Sequence, residues 1–242
     1  MSKRNKAAER AARAAALRAA ALRAEQVRRE RQRRLYTIAG VVGALLVVVA
    51  VGFWLQSRAG KVDETAAVPT GATSDYGLRL GDAGADHEVV IYEDFLCPAC
   101  KAFEDASAET LDSAVADGRA TVEYRPLDFL SRFGDYSQRT ANAFAVVLDA
   151  AGPDVAKKFH DILYAEQPAE EGDHPDDAWL IEKAVEAGAT EADVAAGFKN
   201  LEFGPWVANG VKAATSAGIK GTPTVIVDGE AIEASTLAEA LK

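Results

Sequence analysis

Two cysteines occur in the 242-residue chain, and they stand together as Cys97-Pro98-Ala99-Cys100. Two thiols separated by two residues can cycle between a dithiol and a disulfide, provided the local backbone favours the thiolate of one of them. A free cysteine titrates near 8.5, and a helix N-terminus lowers that by offering unpaired N–H groups and the positive end of the helix dipole. The first cysteine of such a pair is then the attacking group. The second, one turn inward, is placed to resolve a mixed disulfide. A purely structural bridge is the weaker reading, because so short a loop constrains little unfolded-chain entropy. A zinc site at the pair needs about four ligands, and the sequence offers no second cysteine pair, only scattered His87, His160 and His174. No metal or cofactor is therefore expected. The histidines show no sequence pairing and are expected to be solvated or capping.

The segments around the pair supply the required turn. His87 to Phe95 carries Val89, Val90, Ile91 and Tyr92 in succession, the continuous apolar run of a central strand buried on both faces. Pro98 suits a first helical position, and Ala102, Phe103, Ala106, Leu111 and Val115 recur near helical spacing until Gly118. Ala120 to Leu127 reads as a second strand, closing a right-handed parallel βαβ unit. Helical patterns with breaks at Gly152-Pro153, Gly172-Asp173, Gly188 and Gly204-Pro205 predict an insertion of three or four helices over about 131–217. Thr224 to Val227, the turn residues Asp228-Gly229 and Ala231 to Glu233 predict a closing hairpin before a short terminal helix. Glu93 and Asp94 precede Cys97 near the end of a strand that ought to be buried, where a carboxylate is costly, so they are candidates for a proton relay.

On these residues the chain resembles the DsbA-type branch of the thioredoxin superfamily. The resemblance rests on Asp94-Phe95-Leu96-Cys97-Pro98-Ala99-Cys100 and on Gly218-Ile219-Lys220-Gly221-Thr222-Pro223-Thr224, and spans about Gly77 to Lys242. It implies an α/β thioredoxin fold with a helical insertion, a cis peptide bond at Pro223 facing the cysteines, and a backbone at Thr222 free to bind an extended client. Many proteins of that branch have Pro-His between the cysteines and valine before the cis proline, whereas Pro98-Ala99 and Thr222 stand here. Loss of the histidine removes a partner for the thiolate and points to a milder oxidant.

Charge and hydropathy set the expected address. Residues 1–34 hold 12 Lys+Arg against 3 Asp+Glu, a formal +9 that leaves −19 for the remainder of a chain totalling −10. Leu35 to Leu55 is 21 residues without a charged side chain, roughly 31 Å of helix at about 1.5 Å per residue, enough to cross a bilayer. Tyr36 and Trp54 mark its ends, and Arg29, Arg31, Arg33 and Arg34 crowd its N-terminal side, which is expected to stay cytoplasmic. The expected order is a basic cytoplasmic arm (1–34), a single transmembrane helix (35–55), a flexible linker (56–75) and an extracytoplasmic catalytic domain (76–242).

The function expected is disulfide donation to exported proteins through Cys97 and Cys100, with a membrane redox partner resetting the pair. Reduction or isomerisation by the same pair is the alternative, and a non-enzymatic binding or assembly protein is the alternative of another class. A nucleic-acid role is disfavoured, because the acidic domain repels phosphates.

Overall fold

The computed structural model describes residues 62–242. The expected basic arm and transmembrane helix lie outside the described residues, among which no helix is long and apolar enough to cross a membrane. A five-stranded sheet of order β1-β3-β2-β4-β5 organises the chain, with β1 Leu78–Leu80, β2 His87–Glu93, β3 Ala120–Pro126, β4 Thr224–Val227 and β5 Glu230–Ile232. Strands β2 and β3 run parallel, with Ile91 opposite Tyr124, and the remaining pairs are antiparallel. Helix α1 (Pro98–Ala116) connects β2 to β3, completing the βαβ unit that the apolar run and the Pro98 start predict.

Alternation along β2 divides the packing. Val89 and Ile91 meet Phe103, Leu111 and Ala114 of α1 on one face, while Val90 and Tyr92 meet Leu127 and Ala214 on the other. Each fully buried aliphatic side chain here contributes roughly 1.5–3 kcal/mol by leaving water.

Between β3 and β4 lie five helices: α2 Tyr136–Ala151, α3 Pro153–Ala165, α4 Asp177–Ala187, α5 Glu191–Lys199 and α6 Gly204–Ser216. The insertion expected from the sequence had three or four. The extra helix comes from Glu191–Lys199, a nine-residue piece whose Val194 and Phe198 are buried but whose pattern is too short to separate from its neighbours. Their shared core includes Phe144, Phe159, Leu163, Phe198 and Trp206, and it continues to Phe95, Leu96, Cys97 and Cys100. The β4–β5 turn places Asp228 at φ 52° and Gly229 at φ 84°, the left-handed pair that a two-residue hairpin requires. A short helix, α7 (Leu237–Ala240), ends the chain.

Strand β1 was not anticipated, because three residues carry no readable period. Its neighbourhood is tied down by Glu123, fully buried on β3, which accepts hydrogen bonds from Arg79 Nε at 3.0 Å, Arg125 Nε at 2.7 Å and Thr73 Oγ1 at 2.8 Å. Within the stretch expected as linker, Asp63 N–H donates to Asn209 Oδ1 at 2.7 Å and Thr70 N–H to Asp149 Oδ1 at 2.7 Å. These bonds hold residues 63–73 against α2, α6 and β3.

Candidate active site

Cys97 caps the N-terminus of α1 in extended conformation (φ −76°, ψ 116°), with Pro98 in the first helical turn. Cys97 is only 8% exposed, Cys100 is fully buried, and both are free thiols. The Thr222–Pro223 peptide bond is cis, and the Cys97 thiol donates to the Thr222 carbonyl oxygen at 3.3 Å. The two distant sequence elements therefore meet: Cys97, Pro98, Ala99 and Cys100 from the start of α1, and Thr222 and Pro223 from the loop entering β4.

The cysteines are electrostatically unequal. A hydrogen bond from the Cys100 thiol, one from the Thr222 side-chain hydroxyl, and the N–H groups of Ala99 and Cys100 at the helix start outweigh desolvation and bring Cys97 down to about 5. Burial, reinforced by the neighbouring Cys97 sulfur, pushes the Cys100 thiol far up. One cysteine is thus a stable thiolate and good leaving group, and the other holds its proton.

The loop before α1 is fixed from two sides. Asp94, fully buried, accepts from the N–H of Leu96 at 3.0 Å, the N–H of Leu130 at 2.9 Å and Ser137 Oγ at 2.7 Å. Burial raises its pKa to about 6 against the opposing pull of those donors. Gln167 Nε2 donates to the Phe95 carbonyl at 2.9 Å and the Cys97 carbonyl at 3.0 Å. Sequence reading missed Gln167, which lies 70 residues from Cys97 at the end of an unrelated helix.

Glu93 sits on the α1 face of β2, in phase with Val89 and Ile91. It is 1% exposed, and its Oε1 lies 2.8 Å from Nε2 of His160, which is fully buried on α3. This corrects the expectation for His160: it is neither solvated nor capping, but wedged between Tyr124, Phe95 and Tyr164 with ring centroids at 4.5–5.7 Å. Burial opposes its charge, but the Glu93 and Asp161 carboxylates overcome this and raise its pKa. His87 instead pairs with Asp228 at 2.8 Å, and His174 contacts the carbonyls of Ala169 and Glu170. Helix α1 adds Glu104, 5% exposed and one turn beyond Cys100. The signal available for it was a carboxylate in the buried stripe Cys100, Phe103, Glu104, Ser107 and Leu111.

Two openings flank the cysteine pair. A cleft of about 580 Å³ is lined by Cys97, Leu130, Arg132, Ile219, Lys220 and Thr222. A more apolar cavity of about 410 Å³ runs along α1 past Ala99, Phe103, Pro223 and Leu237.

The family profile described as thioredoxin matches residues 73–242. The chain belongs to the thioredoxin family. Within it, the DsbA-like branch supplies the similar structures. The reduced form of the disulfide bond oxidoreductase DsbG of Mycobacterium tuberculosis is 31% identical, with a TM-score of 0.59 over 67% of this chain and 82% of that one. Reduced DsbA of Mycobacterium tuberculosis is 30% identical, with a TM-score of 0.59 over 68% of this chain and 90% of that one. MdbA, a thiol-disulfide oxidoreductase of Actinomyces oris, shares the fold at 24% identity and a TM-score of 0.62, covering 72% of this chain and 85% of its own. A curated relative, the serine/threonine-protein kinase PknE of Mycobacterium tuberculosis, is 29% identical over 158 residues. The match covers 62% of this DsbA-like chain but only 28% of the kinase.

Proposed function

We propose that this DsbA-like chain is a thiol:disulfide oxidoreductase that donates disulfides to exported proteins, from a domain held outside the cytoplasm by an N-terminal membrane anchor. The observation that carries this reading is the asymmetric placement of the pair: Cys97 caps the N-terminus of α1 beside Thr222, and Cys100 is fully buried one turn inward, which lowers the first thiol to about 5 and pushes the second far up. A stabilised Cys97 thiolate favours the reduced form of the protein, so the oxidised form readily gives its disulfide away.

The electrons balance in two exchanges. A client thiolate attacks Cys97 Sγ of the Cys97–Cys100 disulfide, forming a client–Cys97 mixed disulfide and releasing Cys100, which takes up a proton. A second client thiolate then attacks the client sulfur of that bond, and Cys97 leaves as the thiolate. The client loses two electrons and the pair gains two. A membrane partner carrying a more oxidising disulfide restores the pair by the reverse exchange. Thr222 borders the cleft beside Cys97, where an extended client segment would lie, and Pro223 follows it into the cavity along α1.

Membrane anchoring is supported by the apolar run Leu35 to Leu55 and its basic N-terminal flank. The test mixes oxidised full-length chain, stoichiometrically, with a reduced two-cysteine peptide. The expected result is one peptide disulfide formed per chain and none with Cys97→Ser, while reduced Cys100→Ser, given the oxidised form of the peptide, traps a mixed disulfide as its Cys97 thiolate opens the peptide disulfide. Peptide left reduced by the wild-type chain, while the reduced chain opens an oxidised peptide, would assign the pair to reduction instead.

A further inference from the structure

Behind the cysteine pair, three side chains from three elements converge: Glu93 at the end of β2, Glu104 on α1 and His160 on α3. One ligand atom from each lies within 4.8 Å of the others. All three residues are at least 95% buried. Among the described residues, six buried side-chain polar atoms have no hydrogen-bond partner, and three are carboxylate oxygens of this cluster: Glu93 Oε2, Glu104 Oε1 and Glu104 Oε2. Two more are the hydroxyls of Tyr124 and Tyr164, whose rings flank His160 at 4.5 and 5.0 Å. A buried polar group without a partner is costly, so such a concentration needs an explanation.

We propose that Glu93, Glu104 and His160 form a binding site for a divalent cation of the zinc type. One imidazole and two carboxylates are a zinc-compatible donor set, leaving a fourth position for a small ligand. The outer shell is in place, since His160 Nδ1 lies 2.9 Å from Asp161 Oδ1, the carboxylate partner that orients a metal-ligating imidazole through its other nitrogen. The surrounding charge is net negative: Glu93, Glu104, Asp161 and Asp112 stand against the one ammonium of Lys157, which lies 2.7 Å from Asp161 and 3.4 Å from Asp112, and a bound divalent ion would take the place of the proton on His160 Nε2. With bonds of about 2.0–2.2 Å, a tetrahedral ion needs its ligand atoms about 3.4 Å apart, so a Glu104 shift of around an ångström closes the site. The ion would clip β2 and the redox helix α1 to the helical insertion through α3. It stands independently of the direction of disulfide exchange.

Because the ligands are closed off from solvent, the test refolds the oxidised full-length chain from denaturant with Zn²⁺ or with chelator, then dialyses exhaustively. Oxidation removes both thiols as competing ligands. The expected result is one zinc per chain, a raised thermal midpoint relative to the chelator sample, and a zinc X-ray absorption shell of one imidazole with oxygen otherwise. Glu104→Gln should weaken binding at least tenfold, and His87→Ala should leave it unchanged. No retained zinc, equal binding by Glu104→Gln, or loss in His87→Ala, which would place the ion at the exposed His87–Asp228 pair, would each overturn the proposal. Should Glu104→Gln fail to fold, the wild-type shell decides: zero or two imidazoles contradicts the site.

Discussion

At the scale of single residues, Cys97 makes the most direct prediction. Its alkylation rate in the reduced chain should follow thiolate formation with a midpoint at about 5 and stay level through neutral pH, with Cys100 unreactive. A midpoint near the ordinary value of about 8.5 would show that the helix start and the Cys100 thiol do not stabilise the anion. Stability follows with a definite sign. A thiolate whose folded pKa is depressed stabilises the reduced fold fully above the unfolded value, and this contribution is lost as pH falls from about 9 to about 5. The reduced wild type should therefore gain stability over Cys97→Ser across that interval in pH-dependent denaturation. The chemistry of Cys97 was legible because strand, Cys-X-X-Cys spacing and Pro98 are contiguous. His160 was not: it lies 67 residues from Glu93, and nothing in its local sequence distinguishes a buried imidazole from a surface one.

Element by element, the strongest constraints come from close approach and buried charge. Gly197 on α5 passes so near α2 that an added Cβ would lie 2.9 Å from both methyls of Val146 and 2.7 Å from Glu202 Oε2. Gly197→Ala should destabilise the chain by about 1–3 kcal/mol through overpacking, read as a lower denaturation midpoint. Disulfide exchange by the folded fraction should be unchanged. Glu123 holds β1 and the preceding segment through Arg79, Arg125 and Thr73. Although burial opposes it, those donors keep its carboxyl below the ordinary range. Glu123→Ala should cost about 3 kcal/mol by removing the buried carboxylate that Arg79, Arg125 and Thr73 share, leaving Arg125 only Tyr92 and Asp75, again measured by chemical denaturation. Periodicity made β2, α1, β3 and the hairpin readable with boundaries within one or two residues. It could not give β1, whose three residues are ordered by a glutamate 44 positions away, or divide the insertion into five helices.

For the molecule as a whole, the thioredoxin sheet brings the loop before β4 against the start of α1, and the helical insertion closes over both. That juxtaposition makes the Cys97–Cys100 and Thr222–Pro223 elements one site. Family resemblance foresaw the meeting, whereas composition and period alone did not reach it. What the site does depends on how far the stabilised Cys97 thiolate biases the pair toward its reduced form. The equilibrium of Cys97–Cys100 in the full-length chain against a glutathione series, read by thiol trapping, measures this directly. The account predicts a reversible two-electron couple between about −120 mV, typical of DsbA, and about −180 mV, typical of protein disulfide isomerase, with Ala99 placing it below the strongest oxidants. A potential near the thioredoxin value of about −270 mV, or no reversible couple, would contradict disulfide donation.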